Sequence, residues 1–122
     1  MNIIITGASK GIGYELVKIF AKNKSNTVIA LARNHTLLNQ LKNECSKQNS
    51  GGKVIPFPFD LENPNRVKKQ LKKEIIGHIH SVDVLINNAG NLVNKSFEEL
   101  SIEEMEKSFH INMISPAVLI QE

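Results

Sequence analysis

Apolar positions along the chain follow two alternating rhythms. Short runs rich in β-branched residues read as strands: Ile3-Ile4-Ile5, Thr27-Val28-Ile29-Ala30-Leu31, Val54-Ile55-Pro56-Phe57-Pro58-Phe59 and Val82-Asp83-Val84-Leu85-Ile86. Between them the spacing becomes that of a helix with one apolar side, carried by Ile12, Leu16, Ile19 and Phe20, then Leu37, Leu38, Leu41 and Cys45, then Val67, Leu71 and Ile75. Pro56 and Pro58 predict that the third strand lies at a sheet edge, because proline has no amide for the ladder. Ser50-Gly51-Gly52 reads as the stop of the second helix, and Asn63-Pro64 as a cap followed by proline at the first helical position. Ser101-Ile102-Glu103-Glu104 has capping-box spacing and opens a last helix that places Ile102, Met105, Phe109, Asn112, Pro116, Ala117 and Ile120 broadly on one side.

Strand and helix alternate four times with short connections and no repeat or linker. That order predicts an α/β fold: a doubly wound, Rossmann-type parallel sheet covered on both faces. With 122 residues, 41% hydrophobic content and a net charge of +3, the chain can support a packed core, which excludes a disordered tail. No apolar run approaches the ~20 residues that span a bilayer. The lone Cys45 cannot pair internally, and Met1-Asn2-Ile3-Ile4-Ile5 lacks the basic region of a signal peptide, so a reducing, cytoplasmic setting is expected. Residues 1–80 hold 13 basic and 5 acidic side chains and residues 81–122 hold 2 and 7, so the charge is net +8 and then net −5. Lys68, Lys69, Lys72 and Lys73 lie opposite Val67 and Leu71 and read as a solvated helix face. Without aromatic interleaving or a binding motif, a nucleic-acid partner is not expected.

The candidate chemistry begins at Thr6-Gly7-Ala8-Ser9-Lys10-Gly11-Ile12-Gly13, where a buried strand turns into a helix. Glycine there permits a sharp turn and close approach, and the free amides and dipole of a helix N-terminus favour a phosphate. The spacing differs from G-x-G-x-x-G, and the Gly-Lys-Ser/Thr ending of a P-loop is absent. A glycine-rich turn with no ligand is the plain alternative. Asp60-Leu61 follows the third strand, Asn87-Asn88-Ala89-Gly90 the fourth, and Asn112 stands as a polar residue in the last helix.

Taken together, these four signatures resemble the N-terminal half of a short-chain dehydrogenase/reductase, from Ile3 to about Gln121. The resemblance implies a cofactor cradle made of Gly7, Ser9, Lys10, Gly11, Ile12 and Gly13. It also implies that Asp60 accepts a hydrogen bond from the adenine amino group beside the backbone of Leu61, and that Asn87, Ala89 and Gly90 line the ribose near the nicotinamide. Asp60 also suits a helix start, where the dipole favours a carboxylate. Asn88 is expected to be structural, bonding across neighbouring strands. The ligand would sit at the carboxyl end of the sheet.

Cofactor preference turns on the end of the second strand, where enzymes using the unphosphorylated dinucleotide place an acidic residue. Here stands Ala32-Arg33-Asn34. Arg33 can pair with a 2′-phosphate and Lys10 can reach the same group, which favours NADP(H) over NAD(H); solvated surface cations are the plain alternative. Asn112 is either a satisfied core asparagine or, as the resemblance implies, a residue holding a water in the proton relay. His35, His78, His80 and His110 form no metal-like set, and no metal is expected.

The resemblance implies that catalysis needs a serine and a Tyr-x-x-x-Lys pair beyond these motifs. The only tyrosine, Tyr14, precedes Lys18 by four residues, but on a helix behind the pyrophosphate, which excludes them as that pair. The expectation is therefore an NADP-dependent oxidoreductase, moving a hydride between NADPH and a carbonyl or alcohol, of which residues 1–122 are the N-terminal cofactor-binding part and are inactive alone. A non-catalytic dinucleotide sensor is the alternative. The last helix, apolar nearly all round, would pack either against another subunit of a dimer or tetramer or under a C-terminal half.

Overall fold

The computed structural model describes residues 1–48 and 51–122. Four strands, β1 (Asn2–Thr6), β2 (Thr27–Ala32), β3 (Lys53–Pro58) and β4 (Val84–Ile86), form one parallel sheet in the order β3-β2-β1-β4. Ile3 pairs with Val28 on one side and Val84 on the other, and Val28 pairs with Val54. The sheet is parallel and Rossmann-type as expected, with β3 at an edge and β1 inside.

The edge position of β3 follows from its prolines. Lys53 N donates to Asn26 O at 2.9 Å and Phe59 N to Ala32 O at 2.9 Å, so the odd-numbered amides face β2. Pro56 and Pro58, at even positions, turn their nitrogens to the open edge, where no ladder bond is lost. The strand β4 is shorter than the expected 82–86. Asp83 N donates to Asn2 O at 2.9 Å and its carboxylate accepts from Asn2 N at 2.7 Å, so Asp83 closes the end of β1 and Val82 is left exposed.

The chain divides into two compact units, Met1–Asp60 with Ile76–Ala89, and Leu61–Ile75 with Gly90–Glu122. The first contains the sheet, α1 (Gly11–Ala21) and α2 (His35–Lys47). Its core joins Ile3, Ile5, Val28, Ala30 and Val54 of the strands to Val17 and Ala21 of α1 and to Leu38, Leu41 and Cys45 of α2. Side chains on the opposite sheet face, Ile4, Ile29 and Leu31, are buried as well. The apolar side expected for α1 holds in part, since Leu16 and Phe20 pack half-buried against the core that α1 shares with α2, and is corrected at Ile12 and Ile19. Ile12 is 73% and Ile19 57% exposed, while the buried stripe is Gly13, Val17 and Ala21. Small residues at i, i+4 and i+8 let the helix approach the sheet closely, and the larger aliphatics flank that contact. For α2 the expected face holds at Leu38, Leu41 and Cys45, and Asn34 caps it by accepting from Leu37 N at 3.0 Å. It closes at Lys47, earlier than the expected stop, of which Ser50 lies outside the described residues.

The second unit holds two helical stretches, each interrupted by a π-helical turn. The stretch 64–75, α3, is α-helical at Pro64–Arg66 and Lys72–Ile75 around a π turn at Val67–Leu71. It buries the expected Val67, Leu71 and Ile75, and Asn63 caps it through Arg66 N at 3.1 Å. The stretch 102–121, α4, is α-helical at Ile102–Phe109 and Ser115–Gln121 around a π turn at His110–Ile114. Pro116 cannot donate to the carbonyl four residues back, and the wider turn before it accommodates that loss. The extra residue rotates the rest of the helix by about a quarter turn, so the face drawn straight through by periodicity is overturned. Ile111 and Ser115 are the buried positions, and Ile102 and Ile120 are each 72% exposed. The Ser101–Glu104 capping box forms as expected, and a second, unexpected one joins Ser96 to Glu99 around a short 3₁₀ turn, Phe97–Glu99. No described helix is long and apolar enough to cross a membrane.

Candidate functional site

The loop from β1 to α1 derives its shape from three glycines with three different physical demands. Gly7 has φ of 65°, and a Cβ there would lie 2.8 Å from Ala89 Cα and 3.0 Å from Asn88 Nδ2. A Cβ on Gly13 would collide with the carbonyl of Gly7 and lie 2.5 Å from Asn88 Nδ2, so the first turn of α1 sits directly against the loop. Gly11 has φ of 61° and open space where a Cβ would project. The loop is therefore closed on its inner side and open on its outer side.

Asn88 locks the inner side. Its Nδ2 donates to the carbonyls of Thr6 and Gly7, both at 3.2 Å, bridging the carboxyl ends of β1 and β4 as its expected structural role requires. Thr6, buried, completes the joint. Its hydroxyl accepts from Asn88 N at 3.0 Å and Ala89 N at 2.9 Å and donates to Ile86 O at 3.4 Å. Sequence reasoning missed this work of Thr6, although a polar residue ending a buried aliphatic strand was the available signal.

The N-terminus of α1 carries no capping side chain, and no acidic residue lies in its first turn. The helices α2, α3 and α4 are each capped by a side chain, from Asn34, Asn63 and Ser101. The first amides of α1 thus end beside the open space at Gly11, a geometry suited to an anion. Lys10 is the cap residue, and Arg33 immediately follows β2; both are exposed. Among the described residues no carboxylate forms a salt bridge with either cation. Ser9 is half-buried in the loop, Asp60 is half-buried two residues past β3, and Asn87 is exposed just past β4. Gly7, Gly11, Gly13, Arg33, Asp60, Asn87 and Ala89 all stand in the first unit, beyond the carboxyl ends of the four strands.

Leu61, Gly90 and Asn112 belong to the second unit. Asn112 is exposed, which corrects its place in an apolar interior, but its amide is fully engaged. Oδ1 accepts from Asn91 N at 2.7 Å, while Nδ2 donates to Asn91 O at 2.7 Å and to Ser108 Oγ at 3.1 Å. Leu61 is buried and its carbonyl accepts from the fully buried Ser115 hydroxyl at 2.5 Å. Ser115, too, escaped sequence reasoning; the signal was one hydroxyl within an otherwise apolar helical run.

Tyr14 behaves as the opposite of a proton donor tuned for neutral pH. Burial, then a hydrogen bond to Glu44, push its pKa up to about 12. The Lys18 ammonium lies 5.6 Å from the ring centre and 3.5 Å from the Glu15 carboxylate, so Tyr14 and Lys18 serve the packing of α1 against α2. Among the described residues no group of His, Cys, Asp and Glu is arranged to hold a metal ion.

The family model for short chain dehydrogenases matches residues 1–122, the whole chain. The chain belongs to that family. Among its curated relatives, a ketoacyl reductase HetN from a Nostoc species is 35% identical over 116 residues, covering 93% of this chain and 38% of that protein. A fatty acyl-CoA reductase from Acinetobacter baylyi is 32% identical, covering 96% and 39%. This chain therefore spans less than half the length of these relatives. Among solved structures, a short-chain dehydrogenase from Sphingobium yanoikuyae in complex with NADPH superposes with a TM-score of 0.84 at 26% identity, covering 98% of this chain and 45% of that one. An alcohol dehydrogenase from the archaeon Thermococcus sibiricus, complexed with 5-hydroxy-NADP, gives a TM-score of 0.86 at 28% identity and covers 98% and 50%. The four-stranded parallel sheet of this chain is thus the family's fold.

Proposed function

We propose that residues 1–122 form the NADP(H)-binding part of a longer short-chain dehydrogenase/reductase that moves a hydride between NADPH and a carbonyl or alcohol carbon. The observation that carries this reading is the uncapped N-terminus of α1 beside the open space at Gly11. Its amides, with Ser9, Lys10 and Ile12 around them, would hold the pyrophosphate. Asp60 and the Leu61 backbone would meet the adenine, and Asn87, Ala89 and Gly90 the nicotinamide ribose. Arg33, with Lys10, would pair with the 2′-phosphate, and no acidic side chain follows β2 to repel it. Relatives and neighbours of the family support the class, and both solved neighbours named above carry NADPH or an NADP derivative.

The cofactor, when bound, supplies the hydride. Asn112 would act in the proton relay in a particular way. Its side chain is committed to Asn91 and Ser108, so it fixes the loop after Gly90. Its backbone carbonyl, denied the usual helical donor by Pro116, is the group assigned to hold a water. The proton donor and its lysine would lie beyond this chain, as Tyr14 is unsuited to the task. Ile102 and Ile120, both exposed on the last helix, would meet either another subunit or a C-terminal half of the longer protein.

Amide resonances test the reading. Adding NADPH to the isotope-labelled chain is expected to shift Gly11, Ile12 and Gly13 saturably, whereas shifts confined to other regions would overturn the cradle.

A further inference from the structure

Within the second unit, α4 holds the segment Leu61–Glu62 at two points. The fully buried Ser115 hydroxyl donates to Leu61 O at 2.5 Å, and Lys107 Nζ lies 3.1 Å from Glu62 Oε2. In an unbroken α-helix, residues 107 and 115 would stand about 80° apart around the axis. The π turn between them inserts one residue, marked by Ser115 N donating to His110 O five residues back, and reduces that angle to about 20°. Lys107, the buried Ile111 and Ser115 therefore form one stripe along α4. A helical serine commonly returns its proton to the carbonyl four residues back in its own helix. Ser115 gives its proton to another segment instead, and that segment is the one assigned to the adenine.

We infer that Ser115, supported by Lys107, is a positioning residue that aims the Leu61 backbone at the adenine ring and so sets the preference for that base. The inference rests on the proposed NADP(H)-binding function and adds to it a residue outside the motifs of the cradle. Ser115 acts through Leu61, whose side chain is buried and whose carbonyl is bonded, so the direction of its backbone is fixed. Direction matters because a hydrogen bond weakens steeply as it bends. Adenine presents an acceptor at N1 beside an amino group, whereas hypoxanthine presents a donor at N1 beside a carbonyl. A fixed peptide distinguishes these edges, and a loose one turns to suit either. Of the two ties the buried hydroxyl carries more weight, since the Lys107 and Glu62 side chains are 40% and 42% exposed and water weakens their pairing.

Calorimetry with NADPH and with its hypoxanthine analogue, reduced nicotinamide hypoxanthine dinucleotide phosphate, reads the base preference. The unaltered chain is expected to favour NADPH at least ~10-fold, and Ser115→Ala to lower that ratio at least ~5-fold. Lys107→Met is expected to lower it by less than Ser115→Ala does. Val67→Ala opens a cavity in α3 and removes neither tie, so it is expected to reduce stability and leave the ratio unchanged. A general loosening of the unit would weaken both dinucleotides alike and leave the ratio standing. Equal affinities in the unaltered chain, a ratio that survives Ser115→Ala, or one that falls as far in Val67→Ala would overturn the inference. Amide resonances of the unaltered chain give the same test without any substitution. NADPH is expected to shift Leu61, Glu62 and Ser115 together with Gly11, Ile12 and Gly13. Shifts at the glycine loop alone would overturn the inference and leave the cradle in place, whereas silence at the loop would remove the proposed function itself.

Discussion

Gly7 and Ala89 approach so closely that a Cβ on Gly7 would lie 2.8 Å from Ala89 Cα, which joins the ends of β1 and β4 at the candidate cradle. Gly7→Ala combines that clash with a positive φ and is expected to cost about 2–4 kcal/mol in urea unfolding. Gly11→Ala provides the contrast. Its φ is also positive but its Cβ meets nothing, so it is expected to cost only about 1 kcal/mol while weakening NADPH binding at least ~10-fold, because the methyl enters the space assigned to the pyrophosphate.

Thr6 holds two amides of the strand-end loop through one oxygen. Thr6→Val keeps the shape and removes the acceptor, leaving Ala89 N unpaired and Asn88 N with Ile86 O, at 3.1 Å, as its remaining acceptor. A loss of about 2–3 kcal/mol is expected by denaturation, with Thr6→Ser recovering most of it.

Tyr14 is the only tyrosine and no tryptophan is present, so ultraviolet titration reads its ionisation directly. The expected midpoint is about 12, against an ordinary value of 10.0. Because the folded protein favours the protonated phenol, the stability it contributes is complete below pH 10 and is lost as pH rises towards 12. Tyr14→Phe is expected to abolish that part of the pH dependence; an unchanged alkaline stability profile in the variant would refute the burial and Glu44 contact as its source.

Asn112 and Asn91 form a reciprocal pair at the surface of the second unit. Asn112→Leu is expected to change global stability by less than about 1 kcal/mol. Hydrogen exchange at Asn91 N should nevertheless accelerate at least ~10-fold, since the amide loses its acceptor.

The strands, the edge place of β3 and the glycine loop were legible because each depends on local chemistry. Buried parallel strands read as apolar runs, and Pro56 and Pro58 marked an edge. Helix faces were less legible. In α1 the contact belongs to the small residues Gly13, Val17 and Ala21, which hydrophobicity undervalues beside Ile12 and Ile19. In α4 a π turn before Pro116 shifted the face, and no 3.6-residue repeat registers an inserted residue. The site showed the same division. The motif glycines and Asn88 were read from spacing, whereas Thr6, Asn91 and Ser115 act through long-range hydrogen bonds that only the fold creates.

The relative affinity for NADPH and NADH, measured by calorimetry on the chain and on Arg33→Asp, tests the central claim most directly. Arg33 follows β2, exposed and without a carboxylate partner among the described residues, where a 2′-phosphate would form a charge-assisted pair. The account predicts NADPH binding at least ~10-fold tighter than NADH, with Arg33→Asp erasing or reversing that preference and changing NADH affinity little. Equal affinities in the unaltered chain, or a preference that survives the substitution, would contradict it.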